Sequence, residues 1–536
     1  MVKNKPVYAF EEADSKKRML LGGKGAGLSE MTRLKLPVPP GFTITTEVCN
    51  KYYDNNKKLP KDVMPAVMKN IAKMEKKTGK KWNSTKNPLL VSVRSGAAIS
   101  MPGMMDTILN LGLNEKTVEG FAEQTKNPRF SWDSYRRFIQ LFGKVVFGVD
   151  DEKFNHVLNS AKKKQGVTDD SKLNVESLKK IVSKYKKICE EHTKRKFPDT
   201  PDEQLVLSIE AVFKSWMGER AIVYREKNNI TKDIANGTAV NIVTMVFGNM
   251  GDDSATGVVF TRNGSNGKKE IEGEYLINAQ GEDVVAGART GKSIELLKKD
   301  MPKSYKELSN ACAKLEKHFR EPQDIEFTIE QGKFYLLQTR TAKMSAAALV
   351  KTSVDMVKEK LIDKNRALTR IPAQQLEALL HRTMDESKIK DFKQLAKGIA
   401  ASPGAASGIV IFDVKKAIEL GDAGKKVILV RKETKPEDVP AFFSSEGILT
   451  SLGGKSSHAA IVSRGMGKPC IVGCPELEID YDNNIGTANG MTIKEGETIT
   501  IDGSAGTVFI GEIPTVEPKV TKDFEQILQW AQKTKT

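Results

Sequence analysis

Hydrophobic and polar positions change period several times along the chain. From residue 1 to about 110, short apolar runs alternate with glycine-rich turns, among them "LLGGKGAGLSEM", "VPPGFTITTE" and "LLVSVRSGAAISMPGMMDTILNLGL", which predicts short strands joined by turns. Between about 115 and 230 the period becomes helical. There "SWDSYRRFIQLFGKVVF" and "DEQLVLSIEAVFKSWMGERAIVYRE" repeat apolar residues at i, i+3 and i+4. Strand patterning returns over 238–340, in "TAVNIVTMVFG", "ATGVVFTR" and "EIEGEYLINAQGEDVVAG". It ends in a predicted hairpin, "QDIEFTIEQGKFYLLQTR", turning at Gln331-Gly332. A helical, charged connector over about 344–390 leads to a β-rich unit running from "KGIAASPGAASGIVIF" to "ITIDGSAGTVFIGEI". The final "TKDFEQILQWAQKTKT" reads as one amphipathic helix.

Composition narrows the class. The chain has 536 residues, 39% of them hydrophobic and 29% charged, as in an ordinary globular protein of about three or four folding units. No apolar run approaches the roughly 20 residues of a membrane helix, and "MVKNKPVYAF" lacks the core of a secretory signal. A cytoplasmic protein without a membrane partner is expected. Five scattered cysteines point to free thiols in a reducing compartment. Cys470 and Cys474 are close together, but no second pair completes a zinc site. The net charge of +17 raises the question of nucleic acid. Its lysines interleave with acids in the helical stretches, as a solvated face does, and no RNA-binding aromatic signature accompanies them, so no nucleic-acid partner is expected. Small phosphorylated substrates fit this charge.

Candidate chemistry changes the picture most in "GGKSSHAAIVSRGMGKPCIVG", which holds His458, one of five histidines. Gly453 and Gly454 allow a sharp bend, and Ser456 or Ser457 suits the N-cap of a helix beginning near His458. Gly465 or Gly467 can end that helix before the strand "PCIVG". Free N–H groups and the dipole at a helix N-terminus favour negative charge. A neutral imidazole there suits attack on phosphorus and carriage of a phosphoryl group, its ordinary pKa being about 6.5. The same residues also fit a histidine that only caps a turn.

A second site is suggested nearer the start. "GGKGAGL" is no P-loop, because Lys24 is followed by glycine, and its glycine spacing is not that of a dinucleotide fingerprint. A mobile glycine loop presenting Lys24 to phosphate oxygens fits better, although such loops are often plain turns. In the hairpin, period-2 alternation puts Asp324 and Glu326 on one face and Ile325, Phe327 and Ile329 on the other. Gln338 and Arg340 on the return strand can face the acids' side. Carboxylates with an amide oxygen suit Mg²⁺, and an arginine beside them can hold phosphate. A solvated edge hairpin would carry the same pattern.

Resemblance adds to both readings. The segment "ETKPEDVPAFFSSEGILTSLGGKSSHAAIVSRGMGKPCIVG", flanked by "ASPGAASGIVIF" and "IDGSAGTVFIG", resembles the phosphohistidine domain of the pyruvate, phosphate dikinase and phosphoenolpyruvate synthase family. In that family the histidine of "SHAA" carries the phosphoryl group, which implies His458 here. Many members have a threonine two residues earlier, a regulatory phosphorylation site in plant enzymes, where this chain has Ser456. "GGKGAGLSEM", "VPPGF", "VSVRSGAAISMPGMMDTILNLGLN" and "DIEFTIEQGKFYLLQTR" resemble, in the same order, the family's ATP-grasp nucleotide-binding domain over most of 7–340. The resemblance implies Lys24 and Arg94 as phosphate ligands and Glu326 and Gln338 at the Mg²⁺–triphosphate, with Asp324 and Arg340 adjacent. It also implicates Thr256, Glu282 and Arg137, the last with Arg136 as a rival.

The expected fold class is therefore mixed α+β and α/β, multidomain. An ATP-grasp domain over 1–343, with a helical insertion at about 115–235, is followed by a helical linker over 344–390. A swivelling β/β/α phosphohistidine domain occupies 391–514, and 515–536 starts a linker helix towards a C-terminal barrel. No barrel sequence follows, so the pyruvate step is expected to be absent from this chain, whether truncated or naturally split. The implied partners are ATP, inorganic phosphate and pyrophosphate, with pyruvate and phosphoenolpyruvate reached through a separate or missing barrel. "MPGMMDTILNLGLN" resembles the dikinase version, which favours phosphate as the second acceptor. The alternatives are a synthase-like enzyme using water, or a non-catalytic phosphoacceptor module docking on a separate barrel protein.

Overall fold

The computed structural model describes residues 4–99, 101, 105–285, 291–372, 376, 379, 383–385, 388–516 and 521–534. Two compact units form, one of Met1–Met250 with Tyr335–Gln338, the other of Gly251–Phe334 with Thr339–Thr536. Their helices and several sheets give the mixed α/β, multidomain class expected from the sequence.

In the first unit a five-stranded sheet runs in the order Val7–Ala9, Gly41–Ile44, Thr238–Thr244, Val91–Ala97, Thr107–Leu111, every pair antiparallel. The expectation of strands and turns up to residue 110 is corrected here. Arg18–Arg33, Thr46–Asp54 and Val63–Thr78 are helices, and "GGKGAGL" lies inside the first of them. Four glycines thin out its apolar period, and the helix is held by burying Leu20, Leu21, Leu28 and Met31. It breaks once, at Gly22 (φ 69°, ψ 167°), where a Cβ would stand 1.9 Å from the Gly96 carbonyl oxygen.

The helical stretch appears as expected, from Glu115–Thr125 and Pro128–Val145 through Asp151–Gln165 and Val175–Thr193 to Pro201–Ser215 and Glu219–Lys227. Its starts are written locally. Asn114, Asn127, Asp150, Asn174 and Thr200 each accept a backbone N–H as N-caps.

The hairpin strands Gln323–Glu330 and Lys333–Thr341 form one side of a second five-stranded sheet, continued by Ala255–Phe260, Glu272–Ile277 and Lys292–Ser293. The turn falls at Gln331 (φ 48°) and Gly332 (φ 74°), as its sequence predicts. The strand expectation over 238–340 is corrected at Pro302–Phe319, an 18-residue helix begun by proline and burying Leu308, Ala311, Cys312 and Leu315. Buried Arg262 joins that helix to the connector, pairing with Glu316 at 2.7 Å and Glu359 at 2.9 Å. Two connector helices, Ala346–Lys358 and Lys364–Thr369, pack on Lys522–Thr534 through Val350, Val354, Phe524, Ile527 and Trp530.

The β-rich segment builds an eight-stranded sheet. Its middle strands, Ala405–Ile411, Val427–Arg431, Gly447–Thr450 and Cys470–Val472, are parallel in that order. Their side chains Val410, Ile428, Val430, Leu449 and Ile471 are buried. Parallel neighbours need crossovers, and the helix His458–Met466 makes the one from Gly447–Thr450 to Cys470–Val472. His458 therefore stands where a loop leaves the carboxyl end of a parallel strand, the common site for ligands in such sheets.

Candidate functional site

The sequence writes the geometry around His458 in short range. Ser457 is the N-cap, accepting from Ala460 N–H at 3.5 Å, and Gly467 ends the helix in the left-handed conformation. His458 is the first helical residue. Its ring is buried, 7% exposed, and faces Phe442 edge-on with centroids 6.0 Å apart. Nδ1 lies 3.5 Å from Thr434 Oγ1, while Nε2 is buried with no hydrogen-bond partner among the described residues. A ring N–H on Nδ1 donated to the threonine leaves the lone pair on Nε2. Burial pushes the ring's pKa down to about 4; Glu437 opposes this and Lys343 adds to it. Neutral imidazole is therefore the form present near neutral pH. Ser456, the position of the implied regulatory residue, is buried with its hydroxyl unpartnered among the described residues.

The loop before the histidine rests on two carboxylates. Glu272 and Glu274 alternate along Glu272–Ile277 and so share a face. Lys455 N–H donates to Glu274 Oε1 at 2.9 Å, and the Lys455 ammonium pairs with Glu272, which also accepts from Gly264 N–H at 3.0 Å. The approach is so close that a Cβ on Gly454 would stand 1.7 Å from Glu274 Oε1. Burial pushes the Glu274 carboxyl up to about 7, against the Lys455 N–H and charge. A carboxyl raised in this way binds its proton more tightly in the docked state than when released. The contact is thus strongest below about 4.5 and weakens as pH rises through about 7. Hydrogen exchange of residues 453–457, corrected for intrinsic rates, is expected to be faster at pH 8 than at pH 6. Glu274→Gln is expected to remove that difference.

The residues read as nucleotide ligands fall in both units, and each unit is described by itself. In the first, Lys24 lies two residues after the break at Gly22, in the regular part of that helix, its Cβ 3.3 Å from where a Cβ on Gly96 would stand. Arg94 lies half-buried on that same strand, Val91–Ala97, with Nε donating to Ser92 Oγ at 3.2 Å. Lys24 is therefore carried by a helix rather than by a loop. Arg137 is half-buried and donates to Asp133 at 3.3 Å. Its rival Arg136 is buried and holds Asp133 Oδ1 through two nitrogens, at 2.6 and 2.9 Å. Gln338 is buried in the segment Tyr335–Gln338, where Leu336 N–H donates to Pro37 O at 2.8 Å.

In the second unit, Asp324 and Arg340 meet as the alternation predicts, Arg340 Nε donating to Asp324 Oδ2 at 2.6 Å. Asp324 is 3% exposed and its Oδ1 has no partner among the described residues. Burial pushes its carboxyl up against the pull of Arg340. Glu326, two residues on, is half-buried. Thr256 is buried in the sheet, its hydroxyl donating to Phe327 O at 3.1 Å and lying 3.2 Å from Thr328 Oγ1. Glu282 lies on Gly281–Val285, with its side chain outside the described residues. Residues 102–104 of "MPGMMDTILNLGLN", which carry the dikinase-like pattern, also lie outside them.

Pattern reading passes over Thr434, Glu272, Glu274, Lys455 and Lys343. Each acts across long sequence distance, Lys455 and Glu274 being 181 residues apart. The available signal was weak: a lysine directly after two glycines, and two acids two residues apart on a strand.

Comparison with known proteins follows the same two parts. Residues 18–58, 55–306 and 296–361 match the family described as pyruvate phosphate dikinase, AMP/ATP-binding domain. Residues 423–506, which hold His458, match the mobile domain of PEP-utilising enzymes. The chain is 52% identical over 532 residues to pyruvate, phosphate dikinase of Entamoeba histolytica, covering 99% of this chain and 60% of that protein. With the Clostridium symbiosum protein of the same name the identity is 49% over 531 residues, covering 99% and 60%. With the chloroplastic pyruvate, phosphate dikinase 1 of Arabidopsis thaliana it is 46% over 534 residues, covering 99% and 55%. The chain thus spans about 60% of the length of the first of these relatives. With most of its length matched by the nucleotide-binding model and its histidine inside the mobile domain, the chain belongs to the pyruvate phosphate dikinase family.

Proposed function

We propose that this chain performs the nucleotide half-reactions of a dikinase, phosphorylating His458 at the expense of ATP and inorganic phosphate. The observation that carries the reading is Nε2 of His458, buried at a helix N-terminus without a hydrogen-bond partner among the described residues while Nδ1 faces Thr434. The Nε2 lone pair forms a bond to the β-phosphorus of ATP. The bond from that phosphorus to the bridging oxygen breaks, and AMP leaves with the oxygen. An oxygen of inorganic phosphate then attacks the terminal phosphorus of the pyrophosphohistidine. Pyrophosphate departs and one phosphoryl group stays on Nε2. The ring as placed is closed to solvent, so phosphorus reaches it only after what covers it moves. Swivelling of the domain over 391–514, between the linker over 344–390 and the stretch after 514, would supply that motion.

Lys24, Arg94, Arg137 and Arg340 are proposed to meet the phosphate charge, and Thr256 and Glu282 to meet the nucleotide. The donor types suit Mg²⁺: Glu326 and Gln338 are proposed to supply its oxygen ligands, and within the second unit Asp324 keeps a buried carboxylate oxygen without a hydrogen-bond partner among the described residues. Bound there, Mg²⁺ would neutralise triphosphate charge and fix its orientation. The domain limits 1–343, 344–390, 391–514 and 515–536 are proposed on this basis. In the whole protein, phosphohistidine is proposed to exchange its group with pyruvate and phosphoenolpyruvate. Five buried cysteines, all free, support a cytoplasmic setting.

The test uses Mg²⁺ and ATP labelled at the β-phosphate. Acid-labile, base-stable label on His458 is expected, with AMP released and pyrophosphate appearing only when phosphate is added. Absence of label would leave a phosphoacceptor module that docks on another protein. Release of orthophosphate without added phosphate would make water the acceptor.

A further inference from the structure

We propose that Lys343 is a phosphate-binding residue of the His458 reaction, holding oxygens of the groups that reach and leave Nε2. The inference rests on the reading that ATP phosphorylates His458. Lys343 stands three residues after Arg340, just beyond the strand Lys333–Thr341. Its stem lies along the helix that carries the histidine. A Cβ on Gly465 would stand 2.9 Å from Lys343 Cδ and 3.2 Å from Nζ. Gly465 and His458 are about two helical turns apart and so share a side of the helix. The glycine leaves room for the lysine to lie on that side.

Lys343 is half-buried, and among the described residues its ammonium makes no hydrogen bond or ion pair. Burial pushes it below the ordinary lysine range, Arg340 pushes it further, and Asp324 opposes them. Arg464, next to Gly465 on the helix, adds to the local imbalance. It is 1% exposed, gives Nε and Nη2 to the Ala401 carbonyl at 3.1 and 2.9 Å, and leaves Nη1 without a partner among the described residues. Asp324 is felt by Arg340, Lys343 and Arg464 alike, with Glu326 facing Arg340 and Glu272 facing Arg464. Partly desolvated cations that lack a carboxylate counter-ion in contact destabilise the resting protein. An anion brought to this side of the helix turns the same groups into charge-assisted donors. Phosphoryl oxygens on or approaching His458 are the anions that the proposed reaction supplies.

Three variants test this in the full chain: Lys343→Met, Lys343→Arg and Gly465→Ala. First-turnover label formation from β-labelled ATP is expected to slow about 10- to 100-fold in Lys343→Met, at an unchanged half-saturating ATP concentration. Lys343→Arg recovers most of the rate, and Gly465→Ala slows it several-fold, on the order of one lost contact. The thermal midpoint of Lys343→Met equals or exceeds that of the wild type, because an unpaired, partly desolvated charge is gone. A lysine that only covers the helix would give the reverse: a lower midpoint in Lys343→Met and a wild-type labelling rate in both Lys343 variants. That outcome overturns the inference and leaves the phosphohistidine reading intact. If the wild type itself takes no label, both fall.

Discussion

Asparagine in place of His458 abolishes acid-labile label from ATP, while the wild-type labelling rate stays level from about pH 8 to about pH 5. The first half follows from chemistry: asparagine can approximate the shape but offers no nucleophilic lone pair. The second half follows from burial. The ring's pKa is pushed down to about 4, so protonation does not compete with attack at pH 6 as it would for an imidazole titrating near 6.5. If the proposed opening exposes the ring only transiently, the closed, neutral population still governs the profile until acid reaches the lower value. Stability carries the same sign. Between about 6.5 and 4 the unfolded chain binds a proton at this ring and the folded chain does not, so stability falls as pH falls through that window. Thr434→Val, which removes the oxygen facing Nδ1, is expected to slow labelling about tenfold, on the order of one hydrogen bond. A rate that halves near pH 6.5 in the wild type would show that the ring reacts from a long-lived exposed state.

Parts of this arrangement were legible in the sequence because they are local. Alternation from Gln323 to Thr341 around Gln331-Gly332 specifies a hairpin, and it brings Asp324 to Arg340. Glycines, serines and a small apolar run around His458 specify a turn, a cap and a helix start. Reading failed where packing overrides local preference. Arg18–Arg33 contains four glycines and would be marginal alone, yet it folds against Val91–Ala97, so Lys24 rides a helix and not a free loop. Pro302–Phe319 failed differently: its proline start and apolar stripe were present, but the strands on either side set the expectation. The seat of the Gly454–Lys455 loop on Glu272 and Glu274 joins residues about a third of the chain apart, and no local pattern encodes such a pairing.

Methionine in place of Arg340 is expected to cut labelling by about 100- to 1000-fold, as loss of one preorganised cation at a transferring phosphoryl group does. The difficulty is that Arg340 also compensates Asp324, which is 3% exposed and, among the described residues, has a partner only at Oδ2, at 2.6 Å. Removing the arginine strands that carboxylate in a site where burial already pushes its proton affinity up. The expected cost to stability is up to about 3–5 kcal/mol, the usual range for half of a buried pair. A fall in labelling alone would therefore not separate catalysis from folding. The double variant Asp324→Asn, Arg340→Met does separate them. Asparagine removes the stranded charge, so the thermal midpoint should return most of the way to the wild-type value, while the guanidinium proposed to meet phosphate is still missing. Labelling is expected to stay as low as in Arg340→Met, giving strong coupling in stability and almost none in rate. Should labelling recover together with stability, Arg340 would be only the counter-ion of a buried acid, and the cation for the triphosphate would have to be sought elsewhere.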